Sequence, residues 1–314
     1  MAAEAWVLGL ALALDLTLGE LPRWVHPVVW MGWAIGLGER ILGGGAAGRG
    51  GAWRQLLAGL VLALVVPLGS ALAAQLLVAQ LSGEGLVGWV VGGLLLSATF
   101  SLRGLGRAAF VVRDALRHGD LGGARAGLRS LCSRDPSSLD AQQLVGSTIE
   151  SLAENASDSF VAPLFYYVLG GIPGAVFYRA VNTLDAMIGY RGRYEYLGKA
   201  SARLDDLLNL IPARLTAGCL LLAGVLCRRS PRNALAILRR DGGKTASPNA
   251  GWPMATMAGL LAVRLEKGTQ YALGDPAEGL AVDKIGDAWR LVLCAAGAAF
   301  AVAVAALGVG HGGF

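Results

Sequence analysis

Long runs without Asp, Glu, Lys or Arg, rich in apolar residues, cover Leu56–Leu81, Gly85–Leu102, Ser159–Tyr178 and Leu291–Gly310. Each approaches the roughly 20 residues needed to cross hydrocarbon. Two weaker apolar segments accompany them, Ala5–Leu18 with Asp15 inside it and Leu207–Cys227 with Pro212 and Arg214 near its start. Between Arg103 and Glu154 an apolar stripe alternates with arginines at helical spacing, which predicts amphipathic helices. "SRDPSSLDAQQ" reads as a turn followed by a new helix start, whereas "LAILRRDGGKT" with the following "SPNAGWP" predicts an irregular polar stretch. The pattern predicts an all-α, polytopic integral membrane protein with four to six membrane segments. Its predicted division is 1–102, N-terminal membrane segments; 103–158, a cytoplasmic helical segment; 159–227, broken or re-entrant segments; 228–290, a cytoplasmic loop region; and 291–314, a last span.

Composition agrees with that pattern. Hydrophobic residues make up 54% and charged residues 16%, against a charged fraction of about 25% in soluble domains. No Lys or Arg precedes Arg23, so the first segment lacks the basic start of a cleavable signal peptide and is expected to remain as an anchor. The four cysteines form no CxxC pair and no Cys/His cluster, which predicts packing roles rather than zinc or a disulfide framework. Tryptophans 24, 30 and 33 around His26 read as an interfacial belt, with His26 as a hydrogen-bonding partner in it. The net charge of +5 lies beside the apolar segments, so it reports topology and lipid rather than nucleic acid.

Seven arginines in 103–158 and ten Lys or Arg in 228–290 place those segments inside. If Ser159–Tyr178 and Leu207–Cys227 both cross, the five basic residues of 179–206 lie outside; if both dip in and return, every basic loop stays inside. Pro163, "GGIPG" and Pro212 each interrupt regular helix, and the re-entrant version is the expectation.

Polar residues gather at the mouths of the apolar segments. Glu150, Glu154 and Asp158 recur at i, i+4 and i+8 and share a helix face, although like charges repel there. Asn155 adjoins them. Further along come Asn182, Asp185 and Arg191, then Arg203, Asp205, Asp206 and Arg214, then Lys244, Ser247 and Asn249. Carboxylates and amides of this kind suit Mg²⁺, a hard ion commonly shared with substrate phosphates, and arginines suit phosphate or carboxylate. Simpler readings stand beside these. Ser157 or Asp158 would also serve as an N-cap, and Asp205 and Asp206 would also pair with Arg203 or Arg214. Asp15 is costly inside a membrane and therefore points to function. "RRDGGKT" ends like a P-loop, but the motif's first Gly is missing upstream of Lys244, so it is not one.

In order along the chain, "LDLTLGELPRWVHPVVWMG", "ESLAENASDSFVAPLFYYVLGGIPGAVFYRAVNTLDAMIGYR", "YLGKASARLDDLLNLIPARLTA" and "DGGKTASPNAGWPMATMAGLLAVRLE" resemble the CbiB/CobD family of cobalamin biosynthesis, adenosylcobinamide-phosphate synthase. The likeness runs from about Asp15 to Glu266, with "ENASDS" where the family motif commonly reads "ENTSDG". The resemblance implies a multi-pass protein of the bacterial inner membrane. It also implies amide formation between a propionate of adenosylcobyric acid and aminopropanol phosphate or a related amino alcohol, with ATP as cosubstrate and Mg²⁺. Given such a reaction, residue chemistry rather than any family assignment makes Glu154, Asp158 and Asp185 the expected metal ligands, with Asp205 or Asp206 as a reserve ligand or a base for the amine. Arg191, Arg203 and Arg214 contact phosphate and propionate, Lys244 contacts the nucleotide, and Asn155, Asn182, Ser247 and Asn249 complete the polar site. Partners are the corrinoid, the amino alcohol phosphate and the bilayer, with no nucleic acid; a second copy of the chain or other membrane proteins of the pathway are further partners. Two rivals use the same residues, a transporter with intramembrane acids and a phosphotransferase acting on a lipid alcohol.

The re-entrant expectation puts Gly192 inside. In a cysteine-free background, Gly192→Cys is expected to resist an impermeant thiol reagent in intact cells and to react after permeabilisation. Labelling in intact cells places that loop outside.

Overall fold

The computed structural model describes residues 2–42, 51–81, 85–132, 135–190 and 192–309. The chain is almost entirely helical, as the pattern predicts. Among the described residues four helical runs are long and apolar enough to span a bilayer, 52–81, 86–117, 141–188 and 284–308. A fifth is added if the pair Lys199–Leu208 and Leu210–Leu226 counts as one broken span. The first apolar segment forms a helix of 16 residues and is not among them.

The chain forms two compact units, each discontinuous in sequence. The interleaving of sequence segments is set by long-range packing that no local pattern encodes.

Unit 1 comprises residues 1–101, 162–209 and 303–314. It contains α1 (Ala2–Thr17), α2 (Pro27–Leu42), α3 (Ala52–Leu81), α4 (Leu86–Ser97), α8 (Ala162–Ile188) and α9 (Lys199–Leu208). Helix α3 lies along α8 and meets α2 and α9, and α1 packs on α4. Ile35, Leu62, Val66, Leu184, Ile188 and Leu197 form a core cluster. His26 caps α2: its Nδ1 accepts from the Val28 amide at 3.2 Å. Burial lowers its pKa below the ordinary value, opposed by the Glu20 charge and helped by that of Arg179, which favours the neutral acceptor. Trp24, Trp30 and Trp33, the tryptophans of the expected belt, are all exposed.

Unit 2 comprises 102–161 and 210–302. It contains α5 (Leu102–Arg117), α6 (Leu121–Leu128), α7 (Ala141–Ala156), a π-turn (Ser157–Val161), α10 (Leu210–Leu226), α11 (Pro231–Asp241), α12 (Gly251–Leu261), a hairpin of β1 (Leu265–Lys267) and β2 (Tyr271–Leu273), and most of α13 (Lys284–Val309). The predicted helix start after the 135–140 turn is realised by a capping box, in which Asp140 accepts from the Gln143 amide while the Gln143 side chain accepts from the Asp140 amide. Helix α7 departs from the amphipathic expectation: residues 144–153 are buried on every face. Leu235–Thr245 departs as well. Pro at the first turn and a Ser230 side-chain cap start a regular helix there, so only residues 242–250 are irregular.

Helix α12 is short and almost wholly buried, packed against α7, α10 and α11. Its close approach to α11 depends on Gly259, because a Cβ there would lie 2.5 Å from Ala234 Cα. Overpacking against backbone costs about 1–3 kcal/mol. Gly259→Ala is therefore expected to lower the thermal midpoint of the detergent-purified protein, and Gly218→Ala, whose added Cβ meets nothing within 4 Å, is expected to leave it unchanged.

Candidate active site

The carboxylate stretch sits where regular helix gives way. Ser157–Val161 forms a π-turn between α7 and α8, and such turns recur at functional sites. Pro163 offers no amide to the carbonyl of Ser159 four residues back, and its ring crowds that carbonyl. The wider turn accommodates this without breaking the run, so Pro163 does not interrupt the helix as the sequence suggests. Ser157 has helical φ/ψ of −69° and −60° and closes α7 instead of starting a helix. The N-cap reading of Ser157 or Asp158 is thereby corrected: no helix begins there. Glu150 is buried, while Glu154 and Asp158 are half-buried. Between those two lies the Ser157 hydroxyl, 2% exposed as a residue and without a hydrogen-bond partner among the described residues. The Asn155 amide donates back to Ser151 O at 2.9 Å, within its own helix.

Elements of unit 2 that touch this turn carry further site residues. Helix α10 packs on the π-turn, and α12 packs on α7 and α10. From α10 the Arg214 guanidinium donates to Asn249 Oδ1 at 3.0 Å and lies over the Trp252 ring at 4.5 Å. Asn249 is buried. Its own amide donates to Ser247 Oγ at 3.2 Å, and Thr245 Oγ1 both donates to Ser247 O at 2.7 Å and accepts from Gly251 N at 3.1 Å. Residues 245–251 thus form a self-bonded loop that presents Asn249 to Arg214. Trp252, which stacks on Arg214, went unread in the sequence, where it looks like another belt tryptophan.

Asp241 is the second residue that the sequence did not disclose. Its side chain is 1% exposed, yet beside Arg239 and Arg240 it reads as part of a solvated charge run. Arg240 donates to both its oxygens at 2.8 Å, Lys244 Nζ lies 2.6 Å from Oδ1, and Gly274 N donates to Oδ2 at 2.8 Å. These cationic and backbone donors hold its carboxyl well below the usual range. Lys244, expected at nucleotide phosphate, is engaged with Asp241.

Unit 1 holds a separate polar cluster where α9 ends. Asp205 Oδ2 accepts from Asn209 Nδ2 at 2.9 Å and Oδ1 from Asn182 Nδ2 over a long 3.4 Å. Asn209 in turn accepts from Tyr178 Oη at 2.9 Å, and Tyr178 stacks on Tyr166 with ring centroids 5.2 Å apart. Asp205 makes no ion pair with Arg203 or Arg214; amides satisfy it instead. Asp185 and Asp206 are half-buried and Arg203 is exposed in the same unit, and Arg191 lies outside the described residues. Asp15 is buried at 2% exposure. Among the described residues no three His, Cys, Asp or Glu side chains gather into a metal-binding group, so the Glu154, Asp158 and Asp185 set is not found as a ready-made cage. All four cysteines are free, with Cys227 and Cys294 sulfurs 3.6 Å apart.

The family model for CobD/Cbib protein matches residues 8–292. The chain is 46% identical to the cobalamin biosynthesis protein CobD of Dehalococcoides mccartyi, over 85% of each chain. It is 41% identical to the probable cobalamin biosynthesis protein CobD of Methanothermobacter thermautotrophicus, over 92% of this chain and 93% of that one. It is 36% identical to the cobalamin biosynthesis protein CobD of Klebsiella pneumoniae, over 96% of each. No solved structure matches it.

The depressed carboxyl of Asp241 contributes stability above its ordinary pKa of about 4, which is lost as pH falls from there toward the lower folded value. Asp241→Asn leaves Lys244 without its anion and Arg240 with Asp275 alone. It is expected to cost about 1–3 kcal/mol at neutral pH and to flatten the fall in thermal midpoint below pH 4, read by melting at several pH values.

Proposed function

The chain belongs to the CobD/Cbib family of cobalamin biosynthesis, and from that premise we propose that it is a membrane-bound adenosylcobinamide-phosphate synthase of the bacterial inner membrane. It joins adenosylcobyric acid to aminopropanol phosphate, or a related amino alcohol phosphate, as an amide. The observation that supports this reading within the site is the π-turn, which follows Glu154 at the end of α7 and packs Asp158 and the segment of the unpartnered Ser157 hydroxyl on the helix bearing Arg214.

The donor set fits Mg²⁺. Glu154 and Asp158 are hard oxygen donors, and Mg²⁺ is usually held by one or two carboxylates with substrate phosphates completing its shell rather than by an all-protein cage. Asp185 as a further ligand rests on the resemblance and its residue type. When bound, the ion neutralises charge on the transferring γ-phosphate of ATP. The propionate oxygen attacks that phosphorus and ADP leaves, giving an acyl phosphate. The amine then attacks the acyl carbon, phosphate leaves, and the amine loses a proton.

The chain's residues orient these groups. Arg214, aligned by Asn249 and by the Trp252 face, presents donors to phosphate or propionate. Ser247 and Asn249 supply the adjoining polar loop. Lys244 is half-exposed and adds positive charge at that loop while anchored on Asp241. In unit 1, Asp205 is assigned to ordering the end of α9 together with Asn182 and Asn209, since both its oxygens accept amides. Asp206, next in sequence, is assigned as base for the amine, and Arg203 and Arg191 as anion contacts.

Purified protein supplied with adenosylcobyric acid, aminopropanol phosphate, ATP and Mg²⁺ is expected to form the amide. Asp158→Asn and Glu154→Gln are expected to keep normal abundance and melting while losing at least about two orders of magnitude in turnover, the scale of removing one electrostatic stabiliser. Cells carrying either variant should grow on cobinamide and fail on cobyric acid. Turnover of a lipid alcohol without any corrinoid turnover, or solute flux without amide formation, sinks the synthase in favour of the phosphotransferase or the transporter.

A further inference from the structure

Away from every polar cluster, unit 1 contains an apolar trough of about 390 Å³ between α2, α3, α4 and α8. Helix α3 lines it from Val65 to Leu77, a length of about 18 Å at the helical rise. Its walls are made by small residues, Ala34 on α2 and Gly69, Ser70 and Ala73 on α3. In lipid, small residues ordinarily let helices close on one another. Here they leave a gap: a Cβ built on Gly69 meets no atom within 4 Å. The floor is buried side chain, Met31, Val66, Ala74 and Val176, and the rim is the half-exposed Trp30 and Leu77.

What the trough takes follows from where it opens. Helix α3 is one of the most apolar of the spans, with hydropathy 2.4, and Leu60, Leu64, Leu68, Leu72 and Leu76 are all exposed along it. Those leucines face hydrocarbon, and the trough is continuous with that helix surface. Its polar lining is confined to Ser70 and the Trp30 indole, whose N–H already donates to Trp24 O at 3.1 Å. A void so lined holds no water well and forfeits dispersion contacts while empty. Its volume falls within the range of ligand sites, and its length suits a linear chain better than a compact ring.

We propose that the trough between α2, α3 and α8 is a lipid site that seats one acyl chain of a bilayer phospholipid. The chain fills the space that the small residues leave, and Trp30 stands at the mouth where indoles favour the membrane interface.

The test uses the full-length protein in vesicles containing a phospholipid with a photoactivatable diazirine in one acyl chain. Adducts are located by peptide mass spectrometry. Adducts on the floor residues Met31, Val66 or Ala74 are expected, because these are closed to the outer lipid unless a chain enters. In Gly69→Leu and Ala73→Leu, whose side chains fill the trough, floor labelling is expected to fall at least tenfold while labelling of Leu60 and Leu64 is unchanged. Wild-type adducts confined to the rim and the outer leucines overturn the site, whatever the folding of the filled variants. Equal floor labelling in a well-folded filled variant also overturns it, as does native mass spectrometry that finds another molecule, rather than phospholipid, retained by wild type and released by Gly69→Leu.

Discussion

An amide or carbonyl left unpaired in hydrocarbon costs several kcal/mol, and a chain with 54% hydrophobic residues has to satisfy its backbone within itself. Helix is the local solution, and it accounts for nearly every element. The informative places are therefore those where the helix is forced to deviate. One is the π-turn before Pro163; another is Gly170–Gly171 in α8, where Gly171 adopts φ 61° and ψ −157°, a region open to glycine. A third is the end of α9 at Asn209. Two of these three carry polar side chains of the candidate site. Carboxylates and amides at such interruptions lie beside backbone that no longer follows the regular ladder, which is where a polar ligand can be met.

The two polar groupings of unit 2 are supported differently. Glu154 owes its position to α7, whose small and hydroxyl residues allow it to be buried on all sides, and Asp158 to the π-turn that continues it. The Arg214 and Asn249 pair depends on a loop that bonds to itself and on Asp241, which ties α11, Lys244 and the end of the hairpin together. A buried carboxylate with three kinds of donor is rigid because every alternative leaves a charge unpaired. The loop's conformation is thus anchored at one end by an ion-paired hub and at the other by a cation stacked on Trp252.

The apolar trough between α2, α3, α4 and α8 shows the opposite use of small residues. At Gly259 the missing Cβ lets α12 approach α11 backbone, whereas at Gly69 it leaves open space. Both glycines look alike in an apolar helix, and only the neighbour decides whether a missing side chain makes a contact or a cavity.

Hydropathy alone determined that this is a helical membrane protein, where its long apolar runs lie, and that polar residues collect at their mouths. Those properties are local: length against bilayer thickness, and charge against burial. The Asp140 cap was equally legible, because capping needs only residues three apart. Four ordered motifs carried the family. Tertiary structure alone decided the rest. Burial of α7 and Asp241 depends on partners distant in sequence, which no periodicity records. Asp158 stands in a π-turn rather than at a helix start because a proline five residues on alters the backbone ladder while neighbouring helices keep the run intact. Arg214 turned to Asn249 because α10 packs with α12, a pairing set by fit across 35 residues of chain.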